Sequence, residues 1–297
     1  MDGAPLGPNQ VRPTFCGRPV PTDRALVMAI INRTPDSFYD RGSYFAVDAA
    51  LERVDAAVAE GADLVDVGGV KAGPGQDVDA TEEIARTVPF IAQVRDRHPD
   101  LLISVDTWRA SVAEAAVDAG ADLINDTWAG ADPDLPRIAA ETGAGLVCSH
   151  TGGAVPRSRP YRVRYPDVVA DVRDRLLTAA EAAFAAGVRE DGIVIDPTHD
   201  FGKNTHHGLA LLRHLDELVG TGWPVLMALS NKDFIGETLD AGLQERVAGT
   251  LAATALAAHA GARMFRVHQV ADTRRVVEMV ASIDGVRPPA RVVRGLA

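Results

Sequence analysis

Three polar residues in this sequence have the side chains needed to recognise a flat, nitrogen-rich ring. Asp106, Asn125 and Asp196 each stand at the end of a short apolar run. Together they offer two carboxylates and one amide, a set that suits the donor and acceptor edge of a planar heterocycle carrying an amino-pyrimidine. These residue types therefore indicate a flat polar ring as the ligand.

A second group of residues suits an anion. Arg266 and His268 are two positions apart, so an extended backbone places both side chains on one face, where they can clamp a diphosphate. Lys203 and Lys232 are further cations that follow apolar runs. Asn32 offers a carbonyl oxygen to a magnesium ion that also holds phosphate oxygens. The chain thus has candidate groups for both ends of a ring–diphosphate ligand.

Each of these residues has a plainer interpretation when it is taken alone. A single Asp at a strand end often caps the next helix, and loop lysines such as Lys71 and Lys203 are usually solvated. The adjacent His206 and His207 point apart, so a capping or surface role is expected for them instead of a metal site. Polar residues at three separate strand ends favour a binding site over three unrelated caps.

The elements that must position these residues alternate along the chain. Eight short apolar runs are each followed by a segment with helical spacing, a pattern typical of βα units around a parallel sheet. The runs are ALVMAII, ADLVDV, LLISV, ADLIN, AGLVCS, GIVID, PVLMAL and ARMFRV. Four helix-to-strand joins read Gly-Ala, where the glycine fits a left-handed helix C-cap. The pattern predicts an α/β protein with one closed (β/α)8 TIM barrel. An open doubly wound sheet is the alternative, although the first βα turn, NRTPDSF, lacks the usual GxGxxG.

Composition and charge limit the kinds of partner that the protein can have and indicate where its domain begins and ends. The 297 residues carry a net charge of −11, which argues against a nucleic-acid surface. No apolar run approaches the span of a bilayer, and two distant cysteines are consistent with a reducing cytoplasm. The Pro/Gly-rich start does not resemble a signal peptide. We therefore expect a flexible extension at residues 1–22, a barrel at 23–285 and a C-terminal tail at 286–297.

Successive segments of the chain resemble the motifs of dihydropteroate synthase. These segments are INRTPDSFYDRG, GADLVDVGGVKAGPG, ISVDTWRA, LINDTWAG, VIDPTHDFGKNTHHGLALL, LMALSNKDFIGETL and GARMFRVHQV. The resemblance runs from about Ala25 to Ile283 and is most specific at NRTPDSF, DFGK and RVH. It implies a TIM barrel, usually dimeric, that joins 6-hydroxymethyl-dihydropterin diphosphate to p-aminobenzoate and releases pyrophosphate in the presence of magnesium.

The resemblance also implies roles for individual residues. The pterin would be held by Asp106, Asn125, Asp196 and Lys232, and the diphosphate and magnesium end would involve Asn32, Arg266 and His268. Catalytic roles would fall to Asp196, Lys232, Arg266 and His268, with Lys71, Lys203 and Ser230 as further contacts of the diphosphate or of the acceptor loop. In that family pyrophosphate leaves first and the amine then attacks the pterin methylene cation, so leaving-group stabilisation and positioning supply most of the rate.

Three departures from the family pattern fall near the second substrate. The family typically has Glu-Ser-Thr-Arg where this chain has Val70 to Gly73, and it has an arginine at Asn231. A small apolar Gly-Ile-Gly run is replaced by Thr198, His199 and Asp200, which would put an imidazole and a carboxylate near the ring. Lys71 can restore one positive charge in place of a lost arginine, but it lacks the planar guanidinium that arginine offers for paired hydrogen bonds.

The sequence therefore predicts a diverged paralogue that keeps the pterin diphosphate and magnesium site and has weak or no synthase activity. Whether it is an enzyme at all stays open at this point. It is expected to be a cytoplasmic homodimer that uses p-aminobenzoate or another acceptor, if any. The alternatives are an active dihydropteroate synthase, in which Lys71 and His199 replace the lost groups, a non-catalytic pterin binder, and a methyltetrahydrofolate-type methyltransferase.

Overall fold

A short hairpin precedes the main sheet. In the computed structural model, which describes residues 14–21, 24–33, 43–75, 77–158 and 163–294, strands β1 (Thr14–Phe15) and β2 (Arg18–Pro19) pair in antiparallel fashion. The predicted flexible extension of residues 1–22 thus contains an ordered hairpin near its end. Residues 1–13, 22–23 and most of the NRTPDSF motif lie outside the described residues.

Eight parallel strands follow and form one sheet. They are β3 (Leu26–Asn32), β4 (Leu64–Gly68), β5 (Leu102–Asp106), β6 (Leu123–Asp126), β7 (Gly145–Ser149), β8 (Ile193–Asp196), β9 (Leu226–Met227) and β10 (Met264–Val267). Pairing runs in sequence from β3 to β8, and β10 pairs with both β3 and β9. A parallel bridge between Ile195 and Val225 joins β8 to β9 and closes the sheet. The predicted single-domain (β/α)8 barrel is confirmed.

The helices surround the barrel. They are α1 (Ser43–Ala59), α2 (Ala80–Arg97), α3 (Ala110–Asp118), α4 (Leu135–Thr142), α5 (Val168–Ala185), α6 (Thr205–Arg213), α7 (Leu215–Val219), α8 (Asp233–Leu239), α9 (Val247–His259) and α10 (Val270–Ile283). All four predicted glycine caps, Gly61, Gly120, Gly143 and Gly261, have φ between 74° and 112°, which confirms them. Among the described residues, no helix combines the length and the apolar character that a membrane crossing requires.

Two apolar layers hold the barrel together. Successive strand residues point alternately into the barrel and toward the helices, so each strand serves both layers. The inner layer includes Met28, Leu64, Leu102, Leu123, Val147, Val194, Leu226 and Met264. The hairpin residue Phe15 is fully buried in this inner layer and closes the amino-terminal end of the barrel. A Cβ at Gly145 would lie only 2.4 Å from Cδ1 of Phe15, which is why a glycine stands there.

The end of the chain has no helix or strand in its described part. Val286 donates its backbone N–H to the carbonyl of Ala281, and residues 287–294 continue without regular structure. Residues 295–297 of the predicted tail lie outside the described residues.

Candidate functional site

Strand register brings the predicted ring-binding residues to one end of the barrel. Asn32 is in register with Gly68, Gly68 with Asp106, and Asp106 with Asn125 on neighbouring strands. Asp196 ends β8 at the same rim. This rim collects the carboxyl ends of the parallel strands, where (β/α)8 enzymes hold their active sites.

A buried carboxylate that the sequence analysis did not single out organises this rim. Asp66 in β4 accepts hydrogen bonds from Ser104 Oγ at 2.6 Å, Asn125 Nδ2 at 3.2 Å and Arg266 Nε at 2.6 Å. Its side chain is fully buried, so these three donors replace water around the charge. The signal in the sequence was an acid in the middle of the run LVDV, where the neighbouring residues are all apolar.

Arg266 connects this carboxylate to the predicted pterin ligand Asp106. Its Nη2 donates to Asp106 Oδ2 at 2.7 Å, while Thr127 Oγ1 donates to Asp106 Oδ1 at 2.7 Å. Burial raises the pKa of Asp106 to about 6, although the charge of Arg266 opposes the shift. Burial lowers the pKa of Arg266, but the charges of Asp66 and Asp106 outweigh it and hold that pKa above its ordinary value. Arg266 is therefore a fixed cation.

Arg266, Asp106 and Thr127 line one cavity of about 400 Å³, and Asp66 is not itself among its lining residues. Its described lining consists of Ile30, Asn32, Val70, Lys71, Ala72, Asp106, Asn125, Thr127, Asp196, Thr198, Phe201, Ala228, Lys232, Arg266 and His268. We call Asp66, Asp106, Asn125, Asp196 and Arg266 the floor. We call Val70, Lys71, Ala72, Phe201 and Lys232 the outer half. The cavity brings together all the predicted site residues except Lys203 and Ser230, which are not among its lining residues.

Asp196 is the second buried carboxylate that faces the cavity. Its Oδ1 accepts the backbone N–H of Thr198 at 2.7 Å. Burial raises the pKa of Asp196 to about 6, and this hydrogen bond and the charge of Lys232 oppose the shift. The floor therefore presents two carboxylates that are fixed in position and costly to keep charged without a ligand.

His268 lies beside Arg266 in the cavity, as its spacing predicted. Its Nδ1 lies 3.0 Å from Ser230 Oγ, and the same hydroxyl donates to Gln269 Oε1 at 3.0 Å. Partial loss of water around its ring, together with the charges of Arg266 and Lys232, lowers the pKa of His268, although the residue as a whole stays exposed at the rim. At neutral pH the ring is therefore uncharged, and Ser230 acts behind it as an orienting group.

Lys203 holds a loop together. Its Nζ donates to the backbone carbonyls of His150 at 2.8 Å, Phe201 at 2.9 Å and Thr198 at 3.2 Å. Burial lowers the pKa of Lys203 to about 7. These contacts tie the loop after β8 to the end of β7, and a substrate-binding role for Lys203 stays a prediction.

The outer half contains fewer polar groups. Lys232 Nζ lies 5.2 Å from the centroid of the Phe201 ring, which the sequence analysis did not identify as a cavity residue. Lys71 is exposed at the mouth between Val70 and Ala72, two side chains without hydrogen-bonding groups. The loop that departs from the family pattern therefore borders the cavity but adds only one solvated charge.

The residues that depart from the family pattern in the loops after β8 and β9 have unusual backbone angles. Thr198, Asp200 and Asn231 have φ of 48°, 69° and 57°, in the left-handed region that favours glycine. The first two stand where the family pattern has glycine, so residues with side chains here adopt angles that glycine adopts most easily. A β-branched Thr in this region is strained.

The expectation that His199 faces the ring is not met. Its side chain is fully buried and packs against Phe234, with 5.3 Å between ring centroids, and it is not among the cavity-lining residues. Burial lowers the pKa of His199 to about 3, so the imidazole is neutral. The left-handed angles of Thr198 and Asp200 turn the side chain between them into the core, which sequence spacing could not reveal.

The magnesium prediction depends on one amide. Within residues 14–21, 24–33, 43–75, 77–158 and 163–294, His, Cys, Asp and Glu side chains form no group of three or more around a metal position. Asn32 is exposed and lines the cavity. A single oxygen ligand fits a magnesium ion that is held mainly by substrate phosphates and water.

The fold and the site agree with a comparison to known families. The model of the pterin binding enzyme family matches residues 28–268. The chain belongs to this family, and every described residue that lines the cavity lies within the matched range.

Individual relatives place the chain on a diverged branch. It is 69% identical over 287 residues to the inactive dihydropteroate synthase 2 of Mycobacterium leprae, covering 95% of this chain and 99% of that protein. It is 39% identical to the dihydropteroate synthase of Bacillus subtilis, covering 87% and 88% of the two chains. The structure of the Xanthomonas albilineans dihydropteroate synthase with 4-aminobenzoic acid superposes with a TM-score of 0.85 at 38% identity, covering 94% of this chain and 100% of that one. The chain is thus a diverged paralogue within the dihydropteroate synthase group.

Proposed function

We propose that this protein binds 6-hydroxymethyl-dihydropterin diphosphate with magnesium but joins it to p-aminobenzoate weakly or not at all. The observation that carries the proposal is a contrast within one cavity. The floor is a connected network of buried charges and hydrogen bonds, whereas the outer half borders the mouth with Val70, Ala72 and an exposed Lys71.

The floor has the chemistry to hold the pterin ring. Carboxylates accept hydrogen bonds from ring N–H and amino groups, and both oxygens of Asp106 are already positioned by Thr127 and Arg266. Asp196 offers a second fixed acceptor. Because the bonds within the network are already formed, a ring that matches them would lose little further side-chain entropy on binding.

The diphosphate would lie toward Arg266, His268 and Lys232. Arg266 keeps its charge at any physiological pH, and His268 is oriented by Ser230. When bound, magnesium would offset the charge of the diphosphate oxygens, with Asn32 as its candidate protein ligand. The residues of this chain bind and orient the leaving group, and they hold its charge in a fixed place.

We expect weak turnover because part of the outer half lacks side chains that could donate hydrogen bonds to the departing pyrophosphate. Pyrophosphate departure develops negative charge, and each lost donor to such charge costs about 2–4 kcal/mol of transition-state stabilisation. Val70 and Ala72 cannot donate a side-chain hydrogen bond, and Asn231 cannot replace a guanidinium. If two such losses add, the rate falls by about three decades or more.

We also propose that the protein is a homodimer in the cytoplasm. Leu256 on α9 and Met279 and Ile283 on α10 leave large apolar side chains exposed at 70%, 62% and 67%, and α9 packs against α10. Such a surface is suited to a subunit interface. Cys16 and Cys148 are both free thiols, which is consistent with a reducing compartment.

The test combines binding and turnover in one preparation. Equilibrium dialysis with dihydropterin diphosphate and magnesium should show saturable binding that the Asp106→Asn variant weakens at least about tenfold, because an amide is a poorer acceptor than a carboxylate. Pyrophosphate release on addition of p-aminobenzoate should be at least about a hundredfold slower than in the Bacillus subtilis synthase. Turnover at the rate of that synthase would refute the proposal of lost activity, and an absence of binding would refute the proposed ligand.

A further inference from the structure

Lys203 differs from the other lysines of the chain in what surrounds its side chain. The sequence has only three lysines, and the other two, Lys71 and Lys232, line the cavity. Lys203 does not line it, is 8% exposed, and has three backbone carbonyls as hydrogen-bond acceptors around its Nζ. A charged ammonium group has three N–H bonds and a neutral amine has two, so neither form has an N–H left for a substrate.

The loop that Lys203 holds has a backbone that needs support. Within residues 197–203, Thr198, Asp200 and Gly202 have φ of 48°, 69° and 64°. Only the glycine adopts such an angle freely, and a β-branched residue such as Thr rarely adopts it. Two of the Lys203 contacts lie inside this segment, at the carbonyls of Thr198 and Phe201, and the third joins it to the end of β7. The ammonium group therefore holds a strained segment in one shape.

One end of the segment orients a carboxylate of the floor. The backbone N–H of Thr198 donates to Asp196 Oδ1 at 2.7 Å, and Thr198 Oγ1 donates to the Asp196 carbonyl at 3.0 Å. Both residues line the cavity. Because Lys203 binds the carbonyl of Thr198, it holds the residue whose N–H sets the direction of the Asp196 carboxylate. A shift of Thr198 would leave this carboxylate free to rotate away from a bound ring.

The other end of the segment positions the aromatic wall of the outer half. Lys203 donates to the carbonyl of Phe201, whose ring lines the cavity. That ring packs edge-on against Trp128, with 5.1 Å between the ring centroids, and Trp128 is only 3% exposed. The same lysine thus controls one acceptor for the ring and one wall of the cavity, and it does so through backbone atoms alone.

The diphosphate end of the cavity is held by different contacts. Arg266 is fixed by Asp66 and Asp106, and His268 is oriented by Ser230. None of these bonds involves Lys203 or the loop after β8. Loss of the Lys203 ammonium group should therefore disturb the ring end of the cavity and leave the diphosphate end intact.

We propose that Lys203 is a positioning residue, which clamps the loop after β8 so that Asp196 and Phe201 face the ligand, and which makes no contact with the diphosphate. This inference rests on the proposed function, because it concerns the same cavity. It gives Lys203 an indirect role in place of the direct contact that the family resemblance implies.

The test uses two probes that occupy the two ends of the cavity separately. The probe 6-hydroxymethylpterin has the ring but no phosphate, and pyrophosphate with magnesium has the phosphates but no ring. In Lys203→Met, which keeps the length of the side chain but has no N–H, calorimetry should show the affinity for the ring probe reduced by at least about tenfold and that for pyrophosphate changed by less than about twofold. A general loosening of the barrel would weaken both probes, and a direct diphosphate contact would weaken pyrophosphate.

Tyr165→Phe is the matched control in the same loop. Tyr165 Oη donates to the Gly202 carbonyl at 2.9 Å, so this variant removes one hydrogen bond from the segment and leaves the Lys203 contacts in place. Both probe affinities should stay within about twofold of the wild type. Amide hydrogen exchange of residues 197–203, measured without any ligand, should become at least about tenfold faster in Lys203→Met and change little in Tyr165→Phe.

A measurement on the wild type decides the question of direct contact even if Lys203→Met does not fold. With ¹³C at Cε of lysine, the protein gives three signals, which Lys71→Met and Lys232→Met assign by elimination. Pyrophosphate with magnesium should shift the Lys232 signal and leave that of Lys203 in place. A Lys203 signal that moves with pyrophosphate, or an unchanged ring affinity or loop exchange in Lys203→Met, would overturn the inference. If the wild type binds neither probe, the proposed function is refuted, and the ligand-free exchange still shows whether Lys203 holds the loop.

Discussion

Asp66 is the residue on which the floor of the cavity depends. Its fully buried carboxylate receives three hydrogen bonds, and one of them comes from the charged Arg266. Removing one partner of a buried charge pair leaves the other uncompensated, whereas removing a neutral donor loses only one bond. The two kinds of change should therefore differ clearly in cost.

We expect Asp66→Ala to lower the free energy of unfolding by about 3–5 kcal/mol, because Arg266 would keep only the Asp106 half of its fork. Ser104→Ala, which removes a single donor to the same carboxylate, should cost about 1 kcal/mol. Urea denaturation of both variants measures the difference. Equal costs would mean that the ion pair adds nothing beyond an ordinary hydrogen bond.

The buried acids also predict how pterin binding changes with pH. The pKa values of Asp106 and Asp196 are both raised to about 6, so each carboxylate becomes protonated as the pH falls through that value. A protonated acid loses acceptor capacity for ring N–H groups. The affinity for dihydropterin diphosphate should therefore rise with pH and level off above about pH 7, with a loss near pH 5 of about tenfold for each acid, or about a hundredfold for the two together.

The pH profile is checked by calorimetric titration across that range. In Asp196→Asn one titrating group is gone, so the dependence should become shallower while the affinity at high pH falls. A wild-type affinity that is constant between about pH 5 and pH 8 would contradict the assignment of these acids as ring acceptors.

At the scale of elements, the loops after β8 and β9 contain residues that depart from the family pattern. Thr198, Asp200 and Asn231 remain left-handed without being glycine. Arg246 supports the second loop by donating to the Asn231 carbonyl at 2.9 Å. A Cβ at Gly236 would lie 2.4 Å from Nε of Arg246, so the helix after this loop needs a glycine there to admit the guanidinium.

The strain at Asn231 leads to a stability prediction. Its Oδ1 is buried without a hydrogen-bond partner among the described residues, so the side chain contributes little to hold its φ of 57°. Asn231→Gly should be at least as stable as the wild type, while Asn231→Ala should lose about 1 kcal/mol because Ala tolerates the left-handed region less well. Thermal and urea unfolding of the pair measure this, and an Ala variant as stable as the Gly variant would show that the loop can leave the left-handed region.

At the scale of the whole molecule, the barrel is closed at one end by the hairpin and open at the other for the ligand. Phe15 fills the amino-terminal end of the barrel against Gly145 and Leu123. The same hairpin places Arg18 at the surface, where it donates to the Pro99 carbonyl at 3.0 Å and its side chain is 41% exposed. The hairpin thus offers a buried and an exposed residue for comparison.

We expect Phe15→Ala to lower the free energy of unfolding by about 3–5 kcal/mol, because the ring is fully buried and a cavity would remain. Arg18→Ala in the same hairpin should cost about 1 kcal/mol or less. Denaturant titration distinguishes the two. Similar small costs would show that the barrel is stable without its hairpin plug.

Periodicity and glycine positions were sufficient to predict the barrel. The eight apolar runs became the eight strands, and the four glycine caps adopt left-handed angles, because both features are local in sequence. The residues at strand ends could likewise be expected to meet, since parallel strands end at one rim. Whether the groups around these residues are charged or neutral depends on how deeply each is buried, and the sequence does not report burial.

Other features could not be predicted for physical reasons. The hairpin around Phe15 is only a few residues long and is stabilised by the barrel base, not by its own pattern. His199 points into the core because two flanking residues are left-handed, and a sequence gives no φ angles. Asp66 was missed because an acid between apolar residues gives no sign, in the sequence, of the three donors that other strands bring to it.

The central claim is that the pterin end of the cavity is intact while the second-ligand end is changed. Calorimetric titration of the wild-type protein with dihydropterin diphosphate and magnesium tests it most directly. We predict saturable binding with one site per chain and a Kd of about 10 μM or tighter, comparable to ordinary substrate affinities. No heat of binding at millimolar ligand would contradict the account, because the floor would then serve another molecule.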